Sequence, residues 1–313
     1  MKLGIDAMGG DFAPVAVVNG AIKARQELPE EVELVLIGDS AQIREICKEH
    51  HFDAGRFTIV HTTEVIEMGE NPAKAFAQKK DSSIFRGFAL LRQGDLDAFA
   101  SAGNTGAMLA GAMLVSKVIP GIIRPVISAH VPTPEGKPIV LLDVGLNPDA
   151  CPDVLYQYGI LGSVYARAVL EIENPKVGLL NIGSEEEKGN MVTKETYKLM
   201  KDSTQFQFVG NVEGHDFFNP EKQNVIVCDA FVGNILLKEA EAFYGLVKKL
   251  GIHHPFFEEF NFENTGGTPV LGINHPVVIG HGISNAEAIK NMIINTHHVV
   301  KSQLVEKIKE AFQ

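Results

Sequence analysis

The sequence predicts an α/β protein whose largely parallel sheet is covered by helices on both faces. Short β-branched or Leu-rich runs alternate with longer helix-like stretches over most of the chain, the pattern of strands joined by crossover helices. Strands buried on both faces read as continuous apolar runs, and Val225-Ile226-Val227-Cys228 is one of them. With 313 residues, 45% of them hydrophobic, the chain is long enough for one large core or for two lobes sharing a cleft. No linker rich in Pro, Gly and Ser divides it, and no internal repeat is visible. The expectation is a single domain over residues 1–313, any two lobes being interwoven by crossing segments around a central cleft.

The chain opens Met1-Lys2-Leu3-Gly4-Ile5-Asp6, directly in a strand pattern. Further strand-like runs fall at 32–37, 57–61, 97–101, 125–131, 138–143, 176–181, 205–209, 224–228 and 276–279. Helical patterns fill 14–27, 40–50, 71–93, 105–118, 153–172, 190–201, 231–249 and 285–311. One pair of strands departs from the crossover pattern. Val126 to Val131 and Ile139 to Leu142 flank Pro132-Thr133-Pro134-Glu135-Gly136-Lys137, which predicts an antiparallel hairpin or arm, serving either a dimer contact or the ordinary fold.

A formal charge of −11 argues against non-specific nucleic-acid binding, whose affinity comes from clustered Lys and Arg. An anionic ligand must therefore be held locally. Cys47, Cys151 and Cys228 have no CxxC spacing and cannot all pair, so neither a disulfide framework nor a metal site is expected and reduced cytoplasm fits best. No apolar signal segment opens the chain, and no apolar run reaches membrane-spanning length.

Ligands of open α/β sheets sit beyond the carboxyl ends of the strands, and the unusual polar residues gather there. Ser101-Ala102-Gly103-Asn104-Thr105-Gly106-Ala107 lies between a strand-like and a helix-like run, where backbone N–H groups and small polar side chains at a helix start favour phosphate. Asp6-Ala7-Met8-Gly9-Gly10-Asp11 follows the first strand, and Asp143-Val144-Gly145-Leu146-Asn147 follows Leu142. Asn181-Ile182-Gly183-Ser184 with Lys188-Gly189-Asn190, Gly210-Asn211-Val212-Glu213-Gly214-His215-Asp216, Asp229 to Asn234 and Gly280-His281-Gly282-Ile283-Ser284-Asn285 follow others. Each has an ordinary structural reading: Asn104 or Thr105 as an N-cap, Asp6 and Asp229 as strand-end caps, Ser284 with Glu287 as a capping box. Jointly they describe one polar cleft rich in amides and backbone donors. GxGxxG after a strand, GxxxxGK[ST], GxSxG and HExxH are all absent. Cys228, inside an apolar strand, reads as a buried small residue.

The ordered motifs DAMGGD (6–11), SAGNTGA (101–107), LLDVGLN (141–147), GLLNIGSEEEKGN (178–190), GNVEGHD (210–216), VCDAFVGN (227–234), GGTPVLG (266–272) and GHGISN (280–285) closely resemble the bacterial PlsX family. The resemblance runs from Asp6 to Asn285. It implies a three-layer α/β/α sandwich like that of isocitrate and isopropylmalate dehydrogenases and phosphotransacetylase, acting as a homodimer. It also implies the reaction of an acyl-carrier-protein thioester with phosphate to give acyl phosphate and free carrier, for phospholipid synthesis. His215, Leu146 and Ala230 stand where the family commonly has Arg, Ala and Gly, and the stretch from Lys249 to Gly266 is shorter than the family's amphipathic membrane-contact region.

Phosphate is already a competent nucleophile and a thiolate a good leaving group, with thiol pKa values of about 8.5. No triad or cofactor is needed, only a held phosphate, an aligned thioester and donors for the developing oxyanion. The residues expected to carry the chemistry are Lys188, for phosphate charge neutralisation, with His281, Asn234 and Asp229. Substrate binding is expected at Asp6, Gly9, Gly10, Ser101, Asn104, Thr105, Asp143, Asn147, Asn190, Asn211, His215 and Ser284. The alternative for Lys188 is a surface pair with Glu185, Glu186 or Glu187.

Carrier proteins are acidic, and between Asn71 and Arg92 lie Lys74, Lys79, Lys80, Arg86 and Arg92 against Asp81 alone, a local balance of +4 suited to steering such a partner. Phe256, Phe257, Phe260 and Phe262 lie beside Glu258 and Glu259, so weak peripheral membrane contact at most is expected. The rivals are a phosphotransacetylase-like enzyme using an acyl coenzyme A, a dehydrogenase of the same fold, and a non-catalytic carrier-binding scaffold. The dehydrogenase is disfavoured because clustered Asp with several Arg cannot be located.

Overall fold

The computed structural model describes residues 1–313, the side chain of Phe262 excepted. The strands are β1 (Lys2–Asp6), β2 (Glu33–Gly38), β3 (Thr58–His61), β4 (Ala98–Ser101), β5 (Val126–Val131), β6 (Ile139–Leu142), β7 (Lys176–Leu180), β8 (Gln207–Val212), β9 (Val225–Val227), β10 (Gly267–Leu271) and β11 (Val277–Gly280). The helices are α1 (Val15–Glu27), α2 (Ser40–Glu49), α3 (Pro72–Gln78), α4 (Ser83–Gln93), α5 (Thr105–Gly111), α6 (Pro152–Ala168), α7 (Met191–Lys201), α8 (Ala230–Lys249), α9 (Pro255–Glu258), α10 (Phe262–Thr265), α11 (Ala286–Lys301) and α12 (Leu304–Ala311). The chain forms two compact units, Met1–Val118 with Phe262–Lys301 and Ile119–Asn261 with Ser302–Gln313.

In the first unit the strand order is β3-β2-β1-β4-β11-β10. All pairs are parallel except β10 with β11. Alternation along the strands decides which layer each residue serves. Leu3, Ile5 and Ala7 with Ala98, Ala100 and Ala102 face a buried cluster that includes Val17 and Val18 of α1, Ile43 of α2, and Ile289, Met292 and Ile293 of α11. The intervening residues Gly4, Asp6, Phe99 and Ser101 point the other way. There Phe88 of α4 meets Phe99 edge-on at 5.2 Å and Phe76 of α3 at 6.0 Å. The approach is close enough that a Cβ on Gly87 would overlap the Phe99 ring, and one on Gly111 the Phe88 ring. Helices thus cover both faces, giving the expected three layers.

In the second unit the order is β5-β6-β9-β7-β8, antiparallel between β5 and β6 and parallel elsewhere. The antiparallel pair is the hairpin read from residues 126–142, with His130 opposite Val140. Helix α6 lies against β6 and β9, where a Cβ on Gly162 would press into Val225 and Leu142. Its Tyr158 and Tyr165 are fully buried.

Several predicted elements change. The helix expected over 71–93 is two, because Ser82 accepts a hydrogen bond from Phe85 N and starts α4 afresh. The one expected over 285–311 breaks at Gln303, whose φ is 53°. The helix from Thr105 widens into a π-type turn over Ala112–Ser116 and stops at Lys117, φ 61°. Strand β10 was not expected, since Gly267 and Pro269 interrupt its pattern, and the strand expected over 205–209 extends to Val212.

A half-buried histidine set against a buried tyrosine makes stability pH-dependent. His130 Nε2 and the Tyr165 hydroxyl lie 2.9 Å apart, and burial pushes the His130 imidazole down to about 4. The unfolded chain takes up this proton near its ordinary value of 6.5 and the folded chain only near 4, so the pair's contribution is lost as pH falls through that window. The urea midpoint is expected to drop more steeply on acidification for the natural chain than for His130→Gln; equal slopes would assign the acid sensitivity to other groups.

Candidate active site

In the first unit the carboxyl ends of the adjacent strands β1, β4 and β11 bring Asp6, Ser101 and Gly280 together. The Ser101 hydroxyl donates to Asp6 Oδ2 at 2.6 Å and accepts from Gly103 N at 2.9 Å. Met8 N donates to Asp6 Oδ1 at 3.0 Å. Burial pushes the Asp6 carboxyl up, opposed by hydrogen bonds from Ser101, Ser83, Met8 N and Gly9 N. Gly9 is pressed into this knot: a Cβ there would lie 2.7 Å from Gly103 N and 2.8 Å from Ser101 Oγ. Gly10, φ 109°, would bring a Cβ to 3.1 Å from Gly282 O, and Asp11 N donates to that same carbonyl at 2.7 Å. The 6–12, 101–105 and 281–285 loops are therefore one assembly.

Asn104 is more committed than the sequence implied. Its Oδ1 caps α5 by accepting from Ala107 N at 3.0 Å, while Nδ2 faces the carbonyls of Glu67, Met68 and Glu70 at 3.0, 3.2 and 3.3 Å. The amide pins the 67–70 loop. Thr105, at the first helical position, is exposed. The capping-box reading of Ser284 fails, because Asn285 Oδ1 accepts from Glu287 N and Ala288 N at 3.0 Å. Ser284 Oγ is instead buried with no hydrogen-bond partner among the described residues. His281 is exposed, and its carbonyl accepts from Ser284 N.

In the second unit Asp143, fully buried, accepts from Gly145 N, Leu146 N, Asn147 N and Asn147 Nδ2 at 2.9 to 3.1 Å. Asn147 Nδ2 also reaches Pro125 O. Asn234 Nδ2 donates to Val144 O at 2.9 Å, and Asp229 caps α8 through Val232 N. A Cβ on Gly233 would overlap the Asp143 carbonyl, so only glycine lets α8 start this close. Burial raises the Cys228 thiol well above its ordinary range, which fits a packing residue rather than a nucleophile.

Residues 181–190 form a tied loop. Asn181 Nδ2 donates to Lys188 O and to Asn211 Oδ1, Asn211 Nδ2 donates to Glu185 O, and Asn190 caps α7. The surface pair weighed as the alternative for Lys188 does not form: Glu186 takes Lys201 at 3.1 Å, and Lys188 is exposed with no ion pair among the described residues. His215 is exposed, 3.6 Å from Asp216.

The sequence profile of the family described as "Fatty acid synthesis protein" matches residues 1–253. A phosphate acyltransferase of Dictyoglomus turgidum is 40% identical over 329 aligned residues, covering 99% of this chain and 97% of its own. The chain belongs to this family. Among solved structures, a phosphotransacetylase from Streptococcus pyogenes matches at 18% identity with a TM-score of 0.68, covering 96% of this chain and 94% of its own. A putative 4-hydroxythreonine-4-phosphate dehydrogenase from Salmonella typhimurium matches at 14% and 0.56, covering 95% and 99%. At these identities the likeness concerns the fold, which is the one the PlsX resemblance implies.

Within this family member, the structure alters the basic stretch. Lys79 is spent on Glu70 and on Val65 O, 2.6 Å away, and Arg86 lies 3.9 Å from Asp81. Lys74, Lys80, Arg86 and Arg92 are exposed. The residues sequence reasoning passed over are Glu67, Met68 and Glu70, whose loop bears no motif and is found only through Asn104.

The double duty of Asn104 is testable. Asn104→Ala should cost about 1–2 kcal/mol through the lost cap. Asn104→Asp keeps the cap acceptor but sets a carboxylate against three carbonyls, and should destabilise more. Urea melts and hydrogen exchange of the 67–70 amides check both; exchange unchanged in either variant would mean the loop is held by something else.

Proposed function

We propose that this protein is a phosphate acyltransferase that moves the acyl group of an acyl-carrier-protein thioester to inorganic phosphate. The full-length kinship with phosphate acyltransferases, at 40% identity over 99% of the chain, is the observation that carries the reading. A phosphate oxygen attacks the thioester carbonyl carbon, the C–O bond forms as the C–S bond breaks, and the carrier leaves as a thiolate that takes up a proton. The protein's task is positioning and charge stabilisation.

Lys188, exposed and without an acid partner, supports a role in neutralising phosphate charge. Ser284 Oγ, buried with an unused donor, supports a role in hydrogen-bonding the ligand. The Asn104, Asn147, Asn190, Asn211 and Asn234 amides act by holding the loops whose backbone N–H groups and side chains meet the substrates. The fold shared with phosphotransacetylase favours one second reading, an acyl coenzyme A donor.

Carrier docking is assigned to Lys74, Lys80, Arg86 and Arg92, without Lys79. The homodimer implied by the resemblance is supported by α8, where Phe231, Ile235, Ala242 and Leu246 recur at four- and seven-residue spacing and are exposed, as is Leu250 at its C-cap. Of the Phe residues considered for membrane contact, Phe256, Phe257 and Phe260 are half-buried, and Phe256 and Phe260 ring Phe218 at 6.1 and 5.7 Å. The Phe262 side chain lies outside the described residues. No helix among the described residues is long and apolar enough to cross a membrane. A cytoplasmic protein with weak peripheral contact fits this reading.

Incubation with acyl-carrier protein and labelled phosphate should yield labelled acyl phosphate; no product with a carrier donor, against product with coenzyme A, would select the second reading. Lys188→Ala should raise the phosphate KM or lower turnover by about 10²-fold. Ser284→Ala should lose activity without losing stability, because it removes a buried unsatisfied hydroxyl. Normal phosphate kinetics in both would remove them from the site.

Reversing Lys74 and Lys80 to Glu should raise the carrier KM and flatten its salt dependence, with phosphate affinity unaffected. Lys79→Glu should instead destabilise the 64–70 loop. An unchanged carrier KM in the double reversal would place docking elsewhere.

A further inference from the structure

The polar assembly of the first unit carries an apolar rim that none of its hydrogen bonds requires. Phe12 is 56% exposed, Met68 42% and Ile283 56%, each a large side chain on a different loop. The backbone brings the three loops together. Asp11 N donates to Gly282 O at 2.7 Å, so Phe12 and Ile283 each lie one residue beyond the same hydrogen bond. The Met68 methyl packs on Gly282, 2.5 Å from where a Cβ would stand, with Asp11 Oδ1 3.8 Å from that point. Asn104 anchors the Met68 carbonyl, and Gly10 lies against Gly282 O. The rim is thus held from below by the assembly that contains Asp6, Ser101 and Ser284.

We propose that Phe12, Met68 and Ile283 form the surface on which the acyl chain of the thioester donor lies. The proposal rests on the acyltransfer reading and adds to it the place of the chain. Three observations select this occupant. First, the patch is continuous with the polar loops, as a substrate with an apolar tail on a polar reacting end demands. Second, the charged residues of 6–12, 66–70 and 281–285 are the acids Asp6, Asp11, Glu67 and Glu70, and Lys79, which reaches the 64–70 loop from outside, is spent on Glu70 and Val65 O. An anionic bilayer surface would call for basic residues beside the apolar ones, whereas a neutral hydrocarbon chain is indifferent to them. Third, a thioether and two branched or aromatic side chains on separate loops make an adaptable contact for a flexible chain, and each methylene laid on them is removed from water.

The test uses the full chain with long-chain and short-chain acyl-carrier-protein donors, and separately the neutral fluorescent methyl ester of parinaric acid. Phe12→Ser, Met68→Gln and Ile283→Ser are each expected to lower the long-to-short ratio of kcat/KM by about tenfold, to leave the phosphate KM in place, and to weaken binding of the fluorescent ester by a similar factor. Leu199→Ser, an exposed apolar residue on α7, controls for general stickiness and should change neither readout. An unchanged ratio and unchanged ester affinity in variants that melt normally would overturn the proposal. So would variants that alter only self-association or flotation with liposomes. If the natural chain makes no acyl phosphate from any donor, the acyltransfer reading fails by itself; the ester titration still decides whether these three residues bind an acyl chain.

Discussion

The first unit depends on one buried contact, the hydrogen bond from Ser101 Oγ to Asp6 Oδ2 at 2.6 Å. Both residues end strands, and alternation turns both away from the α1, α2 and α11 face. A carboxyl taken out of water must be compensated by hydrogen bonds, and here Ser101, Ser83 and the Met8 and Gly9 N–H groups supply them. That requirement dictates the neighbourhood. The turn after β1 must wrap its N–H groups back onto the carboxyl, which leaves no room for a side chain at position 9. Gly10 then meets Gly282, the 281–285 loop is fixed in turn, and the surface carrying Phe12, Met68 and Ile283 inherits its geometry from the same carboxyl.

The second unit solves the same problem with a different residue. Asp143 is satisfied by three successive backbone N–H groups and the Asn147 amide, and its own carbonyl is approached so closely by α8 that position 233 excludes any Cβ. In both units an acid at a strand end organises a glycine-containing loop. The amides that look like ligand donors in the sequence are the ties of that arrangement. Beside these ties the first unit leaves Thr105 exposed, and the second leaves Lys188 and His215 exposed.

The strands were legible because burial on both faces leaves continuous apolar runs, and β10 was not because Gly267 and Pro269 interrupt its apolar run. Helix breaks were illegible for the opposite reason. The apolar periodicity carries across Lys79 to Ser82 and across Ser302-Gln303, and only the cap at Ser82 and the left-handed Gln303 reveal the stops. The clusters fall at strand ends as read, except that Gly210, Asn211 and Val212 lie within β8 and do not follow it. Their division of labour was not legible, since Asn104 reads equally as cap, tie or ligand until the carbonyls of Glu67, Met68 and Glu70 are placed around it. Met68 itself carries no signal in one dimension, being a single apolar residue in a polar loop.

Charge shows most clearly how a window of sequence misleads. The stretch from Asn71 to Arg92 counts Lys79 as a free positive charge, but its partner Glu70 stands one residue outside that window. Removing the pair still leaves Lys74, Lys80 and Arg92 exposed, with Arg86 loosely held by Asp81. The net charge of −11 works against an acidic partner at long range, yet at physiological ionic strength fields decay over about 8 Å. A docking partner within that distance of α3 and α4 responds to these four side chains and hardly at all to acids elsewhere on the molecule. The locality of each charge, and not the total, therefore governs where an acidic chain can hold an anion.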